Sequence, residues 1–229
     1  MLERIRRYMH PLQAVERSQV IEEISQAASS GFDFFLLVVL SCSIATMGLI
    51  TNSPAVIIGA MLVAPLMSPI IGLGLASITG NGRLAETALY ALLRGATLAI
   101  LLSIIMTIVN SNLPFVVLQE LPAEVLARTH PSPIDLVIAL AGGVAASYAM
   151  TRPNISAALP GVAIATALMP PLCTIGIGVA LGRWDVAGGA ALLFITNAIT
   201  IAFAAALVFF YAALHPNHTL KTILHRAPW

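Results

Sequence analysis

The stretch NSPAVIIGAMLVAPLMSPI, residues 52–70, decides how the chain is read. It is apolar enough to lie in hydrocarbon, yet it carries Pro54, Pro65 and Pro69. Proline inside a helix removes a hydrogen bond and clashes with the preceding turn, so the segment predicts a membrane helix that is interrupted. Ser68 before Pro69 suggests where the helix restarts, with a hydroxyl as cap and a proline at the first position. Gly72 and Gly74 follow and allow another backbone to come close.

The rest of the chain supplies the setting. Of 229 residues, 59% are apolar and 9% charged, where ordinary soluble domains carry about a quarter charged. Eleven basic and ten acidic side chains cannot cover a 24.0 kDa globule in water. Soluble, disordered and nucleic-acid-binding classes are thereby excluded. The charges also cluster: eight fall within residues 1–30, and after Asp33 none occurs until Arg83.

Apolar stretches recur at 34–51, 54–79, 86–110, 134–151, 154–181 and 186–214, and a span needs about 20 helical residues. Period-2 alternation is absent, so helices are expected and a barrel is not. The fold class is all-α: a polytopic helical membrane protein of six segments, with helices two and five broken by proline. Its expected divisions are a cytoplasmic amphipathic segment (1–31), membrane repeat one (32–110), an extracytoplasmic linker (111–133), membrane repeat two (134–214) and a cytoplasmic tail (215–229). Leu2, Ile5, Met9, Leu12, Val20, Ile21 and Ile24 fit a helix lying on the bilayer or a solvated helix packed beneath it. No signal peptide is expected. With six spans and the N-terminus inside, Arg4, Arg6, Arg7, Arg17, Arg83, Arg152, Lys221 and Arg226 fall in the cytoplasm, against Arg128 and Arg183 outside. That bias favours both termini cytoplasmic, in the cell membrane.

A shift of 102 residues aligns 19–110 with 121–212 without a gap, giving 14 identities in 92 positions. Glu22, Asp33, Asn52, Gly59, Gly74 and Gly80 fall on Glu124, Asp135, Asn154, Gly161, Gly176 and Gly182, and Leu66-Met67-Ser68-Pro69 falls on Leu168-Met169-Pro170-Pro171. Three segments per half make the halves inverted repeats, an arrangement common in secondary transporters. Re-entrant hairpins at 54–79 and 154–181 would make them parallel instead. At 26 residues, the first would be roughly 39 Å long as a straight helix; the broken span is preferred because the loop charges then obey the orientation rule.

The run from Asn52 to Ile70 resembles the signature of a prokaryotic membrane family, domain of unknown function 389, and Pro160-Gly161-Val162-Ala163-Ile164-Ala165-Thr166-Ala167-Leu168-Met169-Pro170-Pro171-Leu172-Cys173 resembles its second motif. The similarity covers roughly 30–212. It implies an uncharacterised bacterial or archaeal multispanning protein with no catalytic residues to carry over. Some members have an additional soluble N-terminal region, which the short stretch before the first apolar segment is not expected to supply.

Few polar residues remain as candidates. Half-helices starting in mid-membrane aim N–H groups and a positive dipole end inward, so Ser68, Pro69, Pro170 and Pro171 mark a candidate solute or ion pathway. Arg94 and Asn197 are possible lining. Anchoring of Arg94 near Glu86 and helix-gluing by Asn197 are the plainer readings. Asn52 and Asn154 precede the two broken segments, where capping explains them; Asp33 and Asp135 suit helix N-termini. Cys42 and Cys173 are not repeat equivalents and form no CxxC, so disulfide, redox and zinc sites are not expected. No His lies in a span, and no catalytic set can be assembled; an enzyme is not expected, nor any cofactor or metal. The expected function is a transporter or channel for a small solute or ion. The alternative is a non-transporting oligomeric scaffold or assembly subunit. Expected partners are the lipid bilayer and a second copy of the chain, with no nucleic acid.

Overall fold

The computed structural model describes Ala28 and residues 31–112, 121–150 and 168–214. Its helices are α1 (Phe32–Ile50), α2 (Pro54–Val63), α3 (Met67–Thr79), α4 (Gly82–Asn112), α5 (Ala123–Leu126), α6 (Pro133–Met150), α7 (Met169–Ala180) and α8 (Trp184–Leu214). No strand occurs among the described residues. Four of the helices, α1, α4, α6 and α8, are long and apolar enough to cross a membrane, or five if α2 and α3, bent by 52° between them, count as one span. Large apolar side chains stay exposed on the outer faces, such as Leu101, Ile105 and Ile108 on α4 and Leu192, Ile195, Ile199 and Phe203 on α8. Spacing of three to four residues sets each group on one side of its helix, which suits contact with lipid.

Local chemistry fixes the helix ends. Pro54 opens α2, where a missing N–H costs nothing. Ser132 and Asp135 cap α6 reciprocally: the Asp135 carboxylate accepts from Ser132 N–H at 2.8 Å, and Ser132 Oγ accepts from Asp135 N–H at 3.3 Å. Gly80 ends α3 at φ 66° and Gly182 follows α7 at φ 67°, a left-handed conformation that glycine adopts freely. These two turns are 102 residues apart, and each leads into a 31-residue helix.

Asn52 does not cap α2. Ser53 occupies that cap position and makes no side-chain cap bond. Asn52 sits at φ 53° just past α1, while Ser53 N–H returns 2.8 Å to the Gly48 carbonyl. This is the glycine-like stop of α1, a place where Asn is the usual substitute. Asn154 lies outside the described residues.

Contacts along the helices give their directions. On α2, Ile57 lies by Gly48 and the Ala60 carbonyl accepts from Ser41 Oγ at 2.8 Å. Leu66 then reaches Gly95 beside Phe34, and Gly72 lies against Ala28 and Ala88. Together α2 and α3 retrace the length of α1. Phe34 meets Gly95, and Cys42 meets the Ala99 carbonyl, so α1 and α4 run the same way. The second half repeats this, with Thr129 against Gly189 and Gly143 against Ile201 and Ala204, making α6 parallel to α8.

Asn52, at the far end of α1, accepts a 3.0 Å hydrogen bond from Glu124 N–H. Glu124 also pairs with Arg128 at 2.7 Å, and five residues later α6 begins. Five residues cannot recross a hydrocarbon core of about 30 Å, so α6 starts at the end of the bundle where α1 stops.

Candidate functional site

Lipid gives no hydrophobic drive for helices to associate, so close packing and hydrogen bonds hold them. Both kinds of contact concentrate around the short helices. α3 packs on α4 and α8, whereas α7 packs on α1, α4 and α8. A Cβ at Gly74 of α3 would lie 2.6 Å from the Ala202 oxygen and 2.6 Å from Ala205 Cβ on α8. One at Gly176 of α7 would lie 2.8 Å from the Ile100 oxygen and 2.5 Å from Ser103 Cβ on α4. Every residue in the second contact is 102 places from its counterpart in the first, with the direction between halves exchanged: 74 to 176, 202 to 100 and 205 to 103.

The helix starts differ from the expected capping. α3 begins at Met67, with Leu66 at the cap position and no side-chain cap bond. Ser68 is therefore already inside the helix, followed by Pro69 at its third position, and it does not cap. α7 begins at Met169 after Leu168, again without a side-chain cap. Pro170 and Pro171 occupy its second and third positions, which removes two of the four N–H groups a helix start leaves free. Pro69, Pro170 and Pro171 are buried and Ser68 is half-buried. Leu66, Leu168 and Met169 are each 1% exposed or less, whereas Ala64 and Pro65 in the turn between α2 and α3 are half-buried.

The other candidates are dispersed. Arg94 lies on the exposed outer face of α4 with its Cζ 5.7 Å from the Tyr90 ring centroid, a cation–π distance. Among the described residues the ion pairs are Glu124–Arg128 and Arg183–Asp185, so Arg94 leans on Tyr90 and not on Glu86. Gly95 beside it packs against Leu66 at the first break. Asn197 is buried in α8, at 2% exposure.

A buried seam of small polar groups joins α1, α4 and α7, and sequence reasoning missed it. Ser103 Oγ donates to the Cys173 carbonyl at 2.8 Å, and Thr107 Oγ1 to the Ser103 carbonyl at 2.8 Å. Cys42 donates to the Ala99 carbonyl at 3.1 Å, its Sγ lies 3.7 Å from Thr46 Oγ1, and Cys173 Sγ lies 3.6 Å from it. The spacings 42–46 and 103–107 were the available signal, because residues four apart share a helix face. Pairing of these faces across the two halves is a tertiary fact.

Thr174, the next residue along α7, departs from the hydroxyl pattern seen elsewhere. A helical Ser or Thr ordinarily bonds back to the carbonyl four residues earlier, as Ser43, Thr107, Ser111, Thr196 and Thr200 do. Thr174 Oγ1 and Ser147 Oγ are fully buried with no hydrogen-bond partner. For Thr174 the usual acceptor would be Pro170, at the break. A buried hydroxyl left without a partner costs about 1–3 kcal/mol and calls for an explanation. Among the described residues no Asp, Glu, Lys or Arg is buried, and no three His, Cys, Asp or Glu groups are placed to hold a metal.

These features define an all-helical, multispanning membrane protein with one interrupted helix, α2 with α3. The chain belongs to the family described as Domain of unknown function (DUF389), which matches residues 61–203. It is similar to an uncharacterised protein of Methanocaldococcus jannaschii, 30% identical over 205 residues. That match covers 90% of this chain and 62% of the relative, so the chain spans under two thirds of the relative's length. No solved structure matches.

Proposed function

We propose that the protein is a transporter or channel for a small solute or ion, built from two inverted repeats whose short helices α3 and α7 each pack on the long helix of the other half. Thr174 carries this reading. An unpartnered hydroxyl, buried on α7 three residues past Pro171, is a group waiting for a polar ligand. The exchanged contacts of Gly74 and Gly176 support a pseudo-twofold relation between the halves, as do the matching turns at Gly80 and Gly182. The start of α6 at the end of the bundle where α1 stops supports their opposite orientation.

The buried polar groups are hydroxyls, amides and thiols, so the favoured cargo is a neutral polar solute or a cation held by hydroxyl and carbonyl oxygens. A relay of carboxylates is not part of this reading. The burial of Pro69, Pro170 and Pro171 fits a closed conformation, and passage requires α3 or α7 to shift. Termini in the cytoplasm, location in a bacterial or archaeal cell membrane, and assembly as a homo-oligomer through outward small residues such as Ala141, Ala145 and Gly188 belong to the same proposal.

The scaffold reading draws on one observation, the burial of Leu66, Pro69 and Leu168 to Pro171. Reconstituted liposomes separate the two. Transport predicts flux of at least one small solute or ion above protein-free vesicles, reduced by Thr174→Val. The scaffold predicts no flux across the whole panel from folded, inserted protein.

A further inference from the structure

We propose that Cys42 and Cys173 are an oxidisable dithiol, a modification site at which a disulfide staples α1 of the first half to α7 of the second. The two sulfurs lie 3.6 Å apart and both residues are 0% exposed. Cys173 Sγ also lies 3.8 Å from the Cys42 carbonyl, so this side chain of α7 rests against the backbone of α1. Neither thiol has an alternative sulfur: these are the chain's two cysteines. The oxidant class is a hydroperoxide, with hydrogen peroxide the example, since it is small and neutral enough to enter a packed bundle. One sulfur attacks a peroxide oxygen, the O–O bond breaks, and water leaves with the thiol proton, giving a sulfenic acid. The second sulfur then displaces the sulfenic hydroxyl, which departs as water with the second thiol proton. Two thiols and one peroxide become one disulfide and two waters.

The bond closes a chain separation of 131 residues and ties α7 three residues past Pro170. Chain formation of the disulfide does not depend on the transport reading. Only its effect on flux does, because a stapled α7 cannot shift.

The experiment treats purified protein in detergent, freed of reductant, with hydrogen peroxide, then denatures it and alkylates with N-ethylmaleimide. The expected result is two alkylated thiols before peroxide and none after it. The intact monomer mass loses two hydrogens, dithiothreitol restores both thiols, and the oxidised monomer melts at a higher temperature. In Cys42→Ser the remaining thiol gains oxygen or stays free, with no loss of hydrogen. Two free thiols after peroxide, separate oxygen additions on each cysteine in the wild-type protein, or a covalent dimer on a non-reducing gel would each overturn the proposal. If the disulfide forms and flux is unchanged, the staple stands and the movement of α7 required for transport does not.

Discussion

Ser103 Oγ on α4 donates a 2.8 Å hydrogen bond to the carbonyl of Cys173 on α7. A long helix of the first half thereby holds the short helix of the second, one turn before Gly176 meets the same serine. Interhelical hydrogen bonds within a bilayer contribute about 0.6 kcal/mol on average. Ser103→Ala therefore weakens the bundle slightly and opens a little room at the contact. Thermal unfolding in detergent should show a small fall in melting temperature, and an unchanged or raised value would show that the bond adds no net stability.

The close contacts at Gly74 and Gly176 make a paired prediction. Valine at either position forces α3 from α8 or α7 from α4, at about 1–3 kcal/mol for overpacking, and the two losses should be similar. Gly59 and Gly188 have nothing within 4 Å of an added Cβ, so alanine there should be neutral or stabilising by up to about 1 kcal/mol. Melting curves of the four variants check this. A large loss at Gly74 with none at Gly176 would break the equivalence of the halves.

Thr174→Val keeps the shape of the side chain and removes the unpartnered hydroxyl. Stability should hold or rise by up to about 1–3 kcal/mol, while flux in liposomes falls at least tenfold. Full flux with raised stability would identify Thr174 as a frustrated packing group and nothing more.

Pro69→Leu restores an N–H at the third position of α3, where an intrahelical acceptor is not required. Folding yield and melting temperature should change less than transport does. Loss of folded protein in proportion to lost flux would assign Pro69 to packing.

Asn52 combines a left-handed backbone with its bond to Glu124. Asn52→Gly loses the bond alone, whereas Asn52→Ala also pays about 1–2 kcal/mol for the backbone conformation. Melting temperatures should descend from wild type to glycine to alanine; alanine at or above glycine would contradict the assignment.

Much of this architecture was legible from where helix breakers sit. Pro54, Gly80 and Gly182 act through the backbone of their own neighbourhood, so their roles can be read locally, and the long apolar segments emerge as helices. Ser68 was misread because a hydroxyl before a proline looks like a cap, while the helix starts one residue earlier at Met67. Asn52 was assigned to the wrong helix, since it stops α1 and does not start α2. Arg94 drew attention as a charge in an apolar run, but its helix face points outward over Tyr90. The seam from Cys42 through Ser103 to Cys173 shows only its i,i+4 spacings in the sequence, for a different reason. The 102-residue offset relates equivalent positions, and Cys42 and Cys173 are not equivalent; only the docking of α7 onto α1 and α4 brings them together.

Opposite orientation of the two halves underlies the proposed function, and side-specific labelling reads it out. Asn81 and Arg183 are equivalent positions in the turns after α3 and α7, and both are exposed. Each is replaced singly by Cys in a background in which Cys42 and Cys173 are Ser, then labelled in oriented membrane vesicles with a membrane-impermeant maleimide. Labelling is expected from opposite sides, with Asn81→Cys reached from the cytoplasm. Labelling of both positions from the same side would contradict that orientation.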